Sequence, residues 1–249
     1  RSTLMRSSAA SDVYKRQEFF VRDRGFYTSF FAMTATIAMQ SAIVFSVNLA
    51  DAVMLSRYTE TALAGVALLN QIQFLLQMLV FGVAEGALIF SSRSWGEHRL
   101  EPIRDVTSIA LKFGVAIAIL MSIAILVFPE PVLRLMANDP AIVAEGVKYA
   151  RIIGWSYPVF AISQILMIML RSVETVRISF YLSIVTFCVN VTLNYLLIFG
   201  NCGFPELGGP GAAIATLCSR CLELVLIAGY TRFIDSKVKL RLGHVLKRM

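Results

Sequence analysis

Charged residues are scarce in this chain of 249 residues: Asp, Glu, Lys and Arg make up 16% of it, whereas hydrophobic residues make up 57%. Soluble domains average about 25% charged residues, so the composition excludes an ordinary soluble globular domain and predicts a membrane protein. The net charge of +7 does not indicate a nucleic-acid partner. The basic residues fall in short clusters between apolar runs, as membrane topology requires, and not in one patch.

Catalytic and metal-binding patterns are also absent. The chain has only two His, and it contains no HExxH, nucleophile elbow or Ser/His/Asp set. The stretch GGPGAA (208–213) lacks the Gly-Lys-Ser/Thr ending of a phosphate loop. Cys218 and Cys221 form a C-x-x-C, but no His or second pair lies near, so we predict buried small hydrophobic residues and not a metal or redox site. The sequence therefore predicts no enzyme, no metal site and no organic cofactor.

Long apolar runs are what the sequence does contain. A bilayer-spanning helix needs about 20 mostly apolar residues, and six stretches meet that requirement. We therefore predict an all-α polytopic membrane protein, with a lobe over 26–235. Residues 1–25 include a polar, patternless stretch and are predicted to be disordered or foreign to the lobe; they carry no signal peptide. The predicted spans cover about 27–55, 62–90, 106–128, 149–170, 177–199 and 210–231.

The Lys and Arg residues predict an orientation. Eighteen fall in the two ends, the loops after spans 2 and 4, and the start of span 3; four fall on the opposite side, with Arg220 unassigned inside span 6. Basic residues favour the cytoplasmic side, so both ends are predicted to be cytoplasmic. The stretch 131–150 is amphipathic, which predicts a short helix at the outer interface, then a turn at Asn138–Pro140, then entry into span 4. Trp155 and Tyr157 are predicted at that interface.

Span 1 carries a polar stripe of Gln40, Asn48 and Asp51, which helical periodicity places on one face. A charged Asp at the bilayer centre costs about 2.5–3.5 kcal/mol on insertion scales, so such residues usually face a cavity and serve function. A carboxylate placed there can exchange a proton for a cation. The alternative is that Asp51 lies close enough to the outer end of span 1 to be solvated.

Polar residues in two other spans could likewise have either a functional or a structural role. Asn190 and Asn194 lie one turn apart in span 5, where amide oxygens suit hard cations but equally serve hydrogen bonds between helices. Glu85 lies next to Gly86 in span 2. An acid inside a span is a functional candidate by default, although Glu85 could also snorkel to the interface or pair with Arg93.

Two segments resemble the MATE (multidrug and toxic compound extrusion) transporters. VNLADAVMLSRYTETALAGVALLNQ (47–71) is similar to the family's first two helices, in which an Asp precedes small residues, a turn and an Ala-rich start leading to Asn-Gln. LNYLLIFGNCGFPELGGPGAAIATLCSR (193–220) is similar to the end of the fifth helix and the start of the sixth. The resemblance runs from about 26 to 235.

The resemblance implies the N-terminal six-helix lobe of a twelve-helix antiporter in the plasma or inner membrane, exporting small organic cations in exchange for Na⁺ or H⁺. Its other lobe would be a missing C-terminal partner, with 236–249 as the start of the linker. The family's coupling Asp falls on Asp51, and Asn48, Asn190, Asn194 and Thr216 would add neutral oxygens, with Na⁺ held by Asp51, Asn190 and Asn194. Some members have Asp where this chain has Asn194, which leaves one carboxylate fewer here. The role of Glu85 is not carried over from the family.

Two other functions compete with a MATE-type exporter. A flippase for lipid-linked sugars belongs to the same superfamily, but its cavity would be rich in Arg and Lys for pyrophosphate, and the spans here have few deep basic residues. A membrane assembly subunit without transport would use the same polar residues for packing. Membrane lipid is an expected partner in all three cases.

Overall fold

The computed structural model describes residues 24–173 and 175–234. The predicted N-terminal segment up to residue 23 and the whole predicted linker over 236–249, with His244, lie outside the described residues. Within the described part there is no strand, and the chain forms eight α-helices, a 3₁₀ turn over Asn201–Gly203 and a terminal π-helical turn over Tyr230–Ile234. The helices are α1 (Arg24–Tyr58), α2 (Glu60–Gly96), α3 (Leu100–Val127), α4 (Pro129–Arg134), α5 (Pro140–Ile153), α6 (Ser156–Ser172), α7 (Val176–Phe199) and α8 (Gly209–Gly229).

Five of these helices are long and apolar enough to cross a membrane, and α5 and α6 together provide a sixth crossing that is bent by 56°. Large apolar side chains remain exposed along the helices, among them Phe31, Phe45, Phe90 and Leu120. Such a surface is stable in lipid and not in water. The predicted all-α polytopic architecture is confirmed, and the chain is a multi-pass membrane protein.

The crossing predicted as a span over about 149–170 is broken between α5 and α6. Pro158 has no N–H to donate to the carbonyl four residues earlier, and its ring crowds that carbonyl, which belongs to Gly154. The hydroxyl of Ser122 on α3 donates to the Gly154 oxygen at 2.8 Å. The Gly154 oxygen also accepts from the Tyr157 amide at 3.3 Å, so this carbonyl is satisfied both locally and by a neighbouring helix, as an apolar surrounding requires.

The outer connection follows the predicted order of a short helix, a break at 135–139 and entry into the fourth crossing. Only Pro129–Arg134 forms a separate short helix. The stretch from Pro140 onward belongs to the bent crossing, because Asp139 caps α5 by accepting a hydrogen bond from the Ala141 amide at 2.8 Å and Pro140 occupies its first turn. Tyr157 was predicted at the interface but is completely buried, because the bend turns it into the lobe, whereas Trp155 at the bend is 65% exposed.

Helix α6 forms the centre of the lobe. Its residues 165–170 are all buried, and α2, α3 and α8 pack around it. Helix α1 lies at the edge and packs mainly on α7, which in turn packs on α8. The α7–α8 crossing is close because Gly211 lies against the backbone of Leu197. This arrangement brings the last third of α1, the end of α7 and the start of α8 together.

The cysteines do not lie where the sequence predicted. Cys188, Cys202, Cys218 and Cys221 are free and exposed, so the prediction that Cys218 and Cys221 are buried small hydrophobic residues is wrong. The reason is the orientation of α8, which buries the face carrying Ala212, Ala215 and Ser219. Cys218 and Cys221 lie on its other side.

Candidate functional site

The polar centre of the lobe lies where α1 packs against α7. The carboxylate of Asp51 on α1 accepts a hydrogen bond from Nδ2 of Asn194 on α7. The same nitrogen donates to Oδ1 of Asn190, one turn earlier, at 2.9 Å. Both asparagines are buried, and Asp51 is partly buried. The structure thus brings three of the predicted site residues into direct contact.

The hydrogen bonds of Asn194 fix which way its amide faces. Because its nitrogen donates to two oxygens, its own Oδ1 points elsewhere; this oxygen is buried and has no hydrogen-bond partner among the described residues. The hydroxyl of Thr216 on α8 is also buried, and it lies within hydrogen-bonding reach of Tyr149 on α5, which is in turn within electrostatic range of Asp51. Carboxylate, amide and hydroxyl oxygens are the ligands that hard cations prefer.

Arg220 is a site residue that the sequence analysis left unassigned. It lies on α8 one turn after Thr216, and its Nη1 donates to Oε1 of Gln73 on α2 at 3.2 Å and to the hydroxyl of Ser156 on α6. Its guanidinium carbon stands 4.9 Å from the ring centre of Phe160, a cation–π distance. Four-residue spacing from Thr216 was the sequence signal that Arg220 shares the inner face of α8.

Charges of both signs therefore lie inside the lobe. Asp51 and Arg220 are within electrostatic range of each other, and Glu223 lies three residues beyond Arg220 on α8. Charged side chains inside a membrane protein are costly unless they serve function or compensate one another. Within the described part of the chain no group of three or more His, Cys, Asp and Glu residues is placed to hold a metal ion.

Gln40 shares a helix face with Asp51, but the two side chains do not contact each other. Eleven residues of helix separate the two by about 16 Å. Gln40 is buried at the midpoint of α1, where its Oε1 accepts a hydrogen bond from Nη2 of Arg171 at 3.1 Å. Glu85, exposed on α2, is within electrostatic range of that same Arg171. Gln40 and Glu85 thus belong to a second polar group, one that lies toward the opposite end of the lobe.

Asn48 lies one turn before Asp51 and is exposed on α1. Its side chain is therefore open to a ligand or another protein surface and is not part of the buried group. Of the predicted residues, the structure places Asp51, Asn190, Asn194 and Thr216 at the polar centre, Asn48 at its edge, and Gln40 and Glu85 apart from it.

A multi-pass helical lobe with an acid, amides and an arginine in its interior has the organisation of a membrane transport protein. The MatE family model matches residues 36–196. The chain is 28% identical over 190 residues to a probable multidrug resistance protein NorM of Rhizobium meliloti, covering 75% of this chain and 40% of that protein. It is 24% identical over 214 residues to the uncharacterized transporter YisQ of Bacillus subtilis, covering 86% and 47%.

A comparison with solved structures also finds the fold of a MATE family transporter. The outward-facing conformation of a multidrug resistance MATE family transporter of the MOP superfamily superposes with a TM-score of 0.78 at 20% identity, covering 88% of this chain and 49% of that one. The chain belongs to the MatE family of membrane transporters. It spans less than half the length of the curated relatives that it matches.

Proposed function

We propose that this lobe is half of a secondary active antiporter that exports organic cations or drugs in exchange for Na⁺ or H⁺. The observation that carries the proposal is the set of oxygen atoms at the polar centre: the Asp51 carboxylate lies beside Asn194, whose Oδ1 is buried without a partner among the described residues, and the Thr216 hydroxyl is buried as well. A bound cation would satisfy these oxygens and neutralise the charge. Relatives named as multidrug resistance proteins support the export of drugs.

In this proposal the coupling ion occupies Asp51, Asn194 and Thr216, with Asn190 holding the Asn194 amide in place. The ion would tie α1 to α7 and α8, because its ligands come from all three helices. An organic cation approaching past Asn48 would compete for the same carboxylate. Exchange follows if the ion and the organic cation prefer different conformations of the lobe, since only differential affinity shifts such an equilibrium.

A second six-helix lobe would complete the cavity. Asp51 is only partly buried, and Asn48 beside it is exposed, so the polar centre has an open side that another lobe could cover. Relatives of about twice this length support the same view. We propose that export requires both lobes, and that residues 1–249 alone do not transport in liposomes.

Cys202 tests the proposed membrane orientation. It is exposed in the connection between α7 and α8, which carries no Lys or Arg and is proposed to face outward, with both ends of the chain in the cytoplasm of a plasma or inner membrane. A membrane-impermeant sulfonated maleimide added to intact cells is expected to label the protein. Cys202→Ser should remove that labelling, and labelling only after lysis would reverse the orientation.

The test of the function is ethidium efflux by a complete transporter containing this lobe, in cells that lack their own exporters. We expect efflux that stops when Na⁺ is withdrawn or when the proton gradient is collapsed, and whichever condition stops it names the coupling ion. Accumulation of ethidium equal to that in cells with an empty vector would contradict export. Efflux that continues both without Na⁺ and with a collapsed proton gradient would contradict antiport.

A further inference from the structure

Helix α7 carries a row of polar side chains along its buried side, and only the last two of them belong to the polar centre. We call it the α7 oxygen row: Ser179, Ser183, Thr186, Asn190 and Asn194. At 100° per residue these side chains lie within an arc of about 80° around the helix. Ser179, Ser183, Asn190 and Asn194 are at most 4% exposed, and Thr186 is partly buried. The row therefore lies inside the lobe and does not face lipid.

Hydrogen bonds connect the row at both of its ends. The Ser183 hydroxyl donates to the Ser179 carbonyl at 2.9 Å, and the Thr186 hydroxyl donates to the Ser183 carbonyl at 3.2 Å. At the other end, Nδ2 of Asn194 donates to the carboxylate of Asp51. From Ser179 to Asn194 the helix rises by about 22 Å, whereas the hydrocarbon core of a bilayer is about 30 Å thick. The row thus extends from Asp51 through most of the depth of a membrane.

The hydroxyls of the row do not serve as hydrogen bonds between helices. Among the described residues, those of Ser183 and Thr186 donate only to carbonyls of α7 itself. Their protons are used within the helix, and the lone pairs of their oxygens remain as acceptors. Ser179 is completely buried, and its Oγ has no hydrogen-bond partner in the described part of the chain. Oδ1 of Asn194, at the other end of the row, also has none.

Buried oxygens of this kind need partners that the described helices do not supply. Polar groups without a hydrogen bond are unfavourable in apolar surroundings, and buried water typically satisfies such groups by making about three hydrogen bonds of its own. Hydroxyl and amide oxygens are also ligands for hard cations. A row of acceptors that ends at a carboxylate therefore suits water molecules together with the cation that they hydrate.

We propose that the α7 oxygen row is the hydrated path by which the coupling ion passes between Asp51 and the cytoplasm. The inference rests on the proposed antiport and adds the route of the ion to it. Ser179 lies in the first turn of α7, at the end that is proposed to face the cytoplasm. Asp51 lies only about 10 Å of helix from the outer end of α1. An ion exchanged with the cytoplasm must therefore cross most of the span, and the row covers that distance.

Silver ions test whether the row is hydrated and open to cations. The 249-residue chain is studied in inside-out membrane vesicles, with its native cysteines changed to Ser: Cys188, Cys202, Cys218 and Cys221. One cysteine is then introduced as Ser183→Cys or, as the control, as Ile184→Cys. Ile184 is next to Ser183 along α7 but is 37% exposed on the outside of the lobe.

The readout is the rate at which Ag⁺ blocks each new thiol, measured as the loss of maleimide labelling after denaturation. Ag⁺ replaces the proton of a thiol that water reaches, whereas a thiol in apolar surroundings stays protonated. We expect Ser183→Cys to be blocked about tenfold faster than Ile184→Cys, or more. Equal rates at the two positions, or no block at either, would overturn the proposal.

Thr186→Val tests the row during transport, because it removes one oxygen of the path and leaves Asp51 and its contacts in place. We expect ethidium efflux by the complete transporter to fall several-fold. The melting temperature and the ion concentration that displaces half of the bound ethidium should stay unchanged, because a path sets how fast the ion arrives and not how tightly it binds. Thr192→Val is the matched control: Thr192 is exposed on α7, its hydroxyl also donates to a carbonyl of its own helix, at 2.8 Å, and its loss should not change efflux.

The transport result has its own contradicting outcomes. Unchanged efflux by Thr186→Val, or a fall that is fully matched by weaker binding of the ion, would overturn the path. Failure of the proposed function is a separate result: the native complete transporter would then export no ethidium, whereas the Ag⁺ rates would still show whether the row is hydrated.

Discussion

Replacing Asp51 by Asn is expected to abolish ion-coupled efflux of ethidium by the complete transporter. The amide has nearly the same shape and retains one oxygen, but it cannot hold a proton or neutralise the charge of Na⁺. Loss of a charged contact worth about 1.5–3 kcal/mol corresponds to roughly 10–100-fold in ion affinity. Efflux rates should therefore fall to the background of cells with an empty vector, at equal amounts of protein in the membrane.

Two other acid-to-amide variants serve as controls for Asp51→Asn. Glu101→Gln, exposed in the first turn of α3, removes a carboxylate outside the polar centre and should leave efflux unchanged. Glu85→Gln removes the other acid within an apolar span that the sequence singled out. If Glu85→Gln stopped efflux while Asp51→Asn did not, coupling would belong to the group around Glu85 and Arg171, and the role proposed for Asp51 would be wrong.

Gly65→Ala is expected to destabilise the lobe strongly, because two helix backbones touch at this position. A Cβ atom on Gly65 of α2 would lie 2.8 Å from the amide nitrogen of Gly146 and 3.0 Å from the carbonyl oxygen of Ile142, both on α5. Backbone atoms cannot rotate away as a side chain would, so α2 and α5 must separate. Overpacking typically costs about 1–3 kcal/mol, and we expect a cost at the upper end of that range.

The measurement is the thermal denaturation of purified protein in detergent, with Gly86→Ala as its control. Gly86 lies on the same helix, and nothing stands within 4 Å of the Cβ atom it lacks. Because Ala is a better helix former than Gly by about 1 kcal/mol, Gly86→Ala should leave the denaturation temperature unchanged or raise it. Equal behaviour of the two variants would show that α2 and α5 do not pack backbone to backbone at Gly65.

The sequence predicted the apolar spans well because lipid imposes a simple requirement on length and composition. It also grouped Asp51 with Asn190 and Asn194, through single polar residues at helical spacing and the family resemblance. The contact between Asp51 and Asn194 depends on how α1 packs against α7, which no periodicity within one helix specifies. Gln40 shows the limit of that reasoning: it shares the face of Asp51 but contacts Arg171 three turns away.

The remaining differences come from tertiary packing. The bend at Gly154 depends on Pro158 together with Ser122, a residue of another helix that satisfies the freed carbonyl. Once the bend forms, Tyr157 moves from the predicted interface to the interior. Arg220 was visible as a charge inside span 6, but its orientation toward Gln73 and Ser156 follows from the rotation of α8. That same rotation exposes Cys218 and Cys221.

The central claim is that Asp51 and its neighbours form one cation site for which the coupling ion and the organic cation compete. Its most direct test is the anisotropy of ethidium bound to the purified complete transporter, titrated first with Na⁺ at constant ionic strength and then with protons. We expect one of these ions to displace ethidium from the native protein and to have no effect on the ethidium that Asp51→Asn still binds. Equal displacement from both proteins would contradict it.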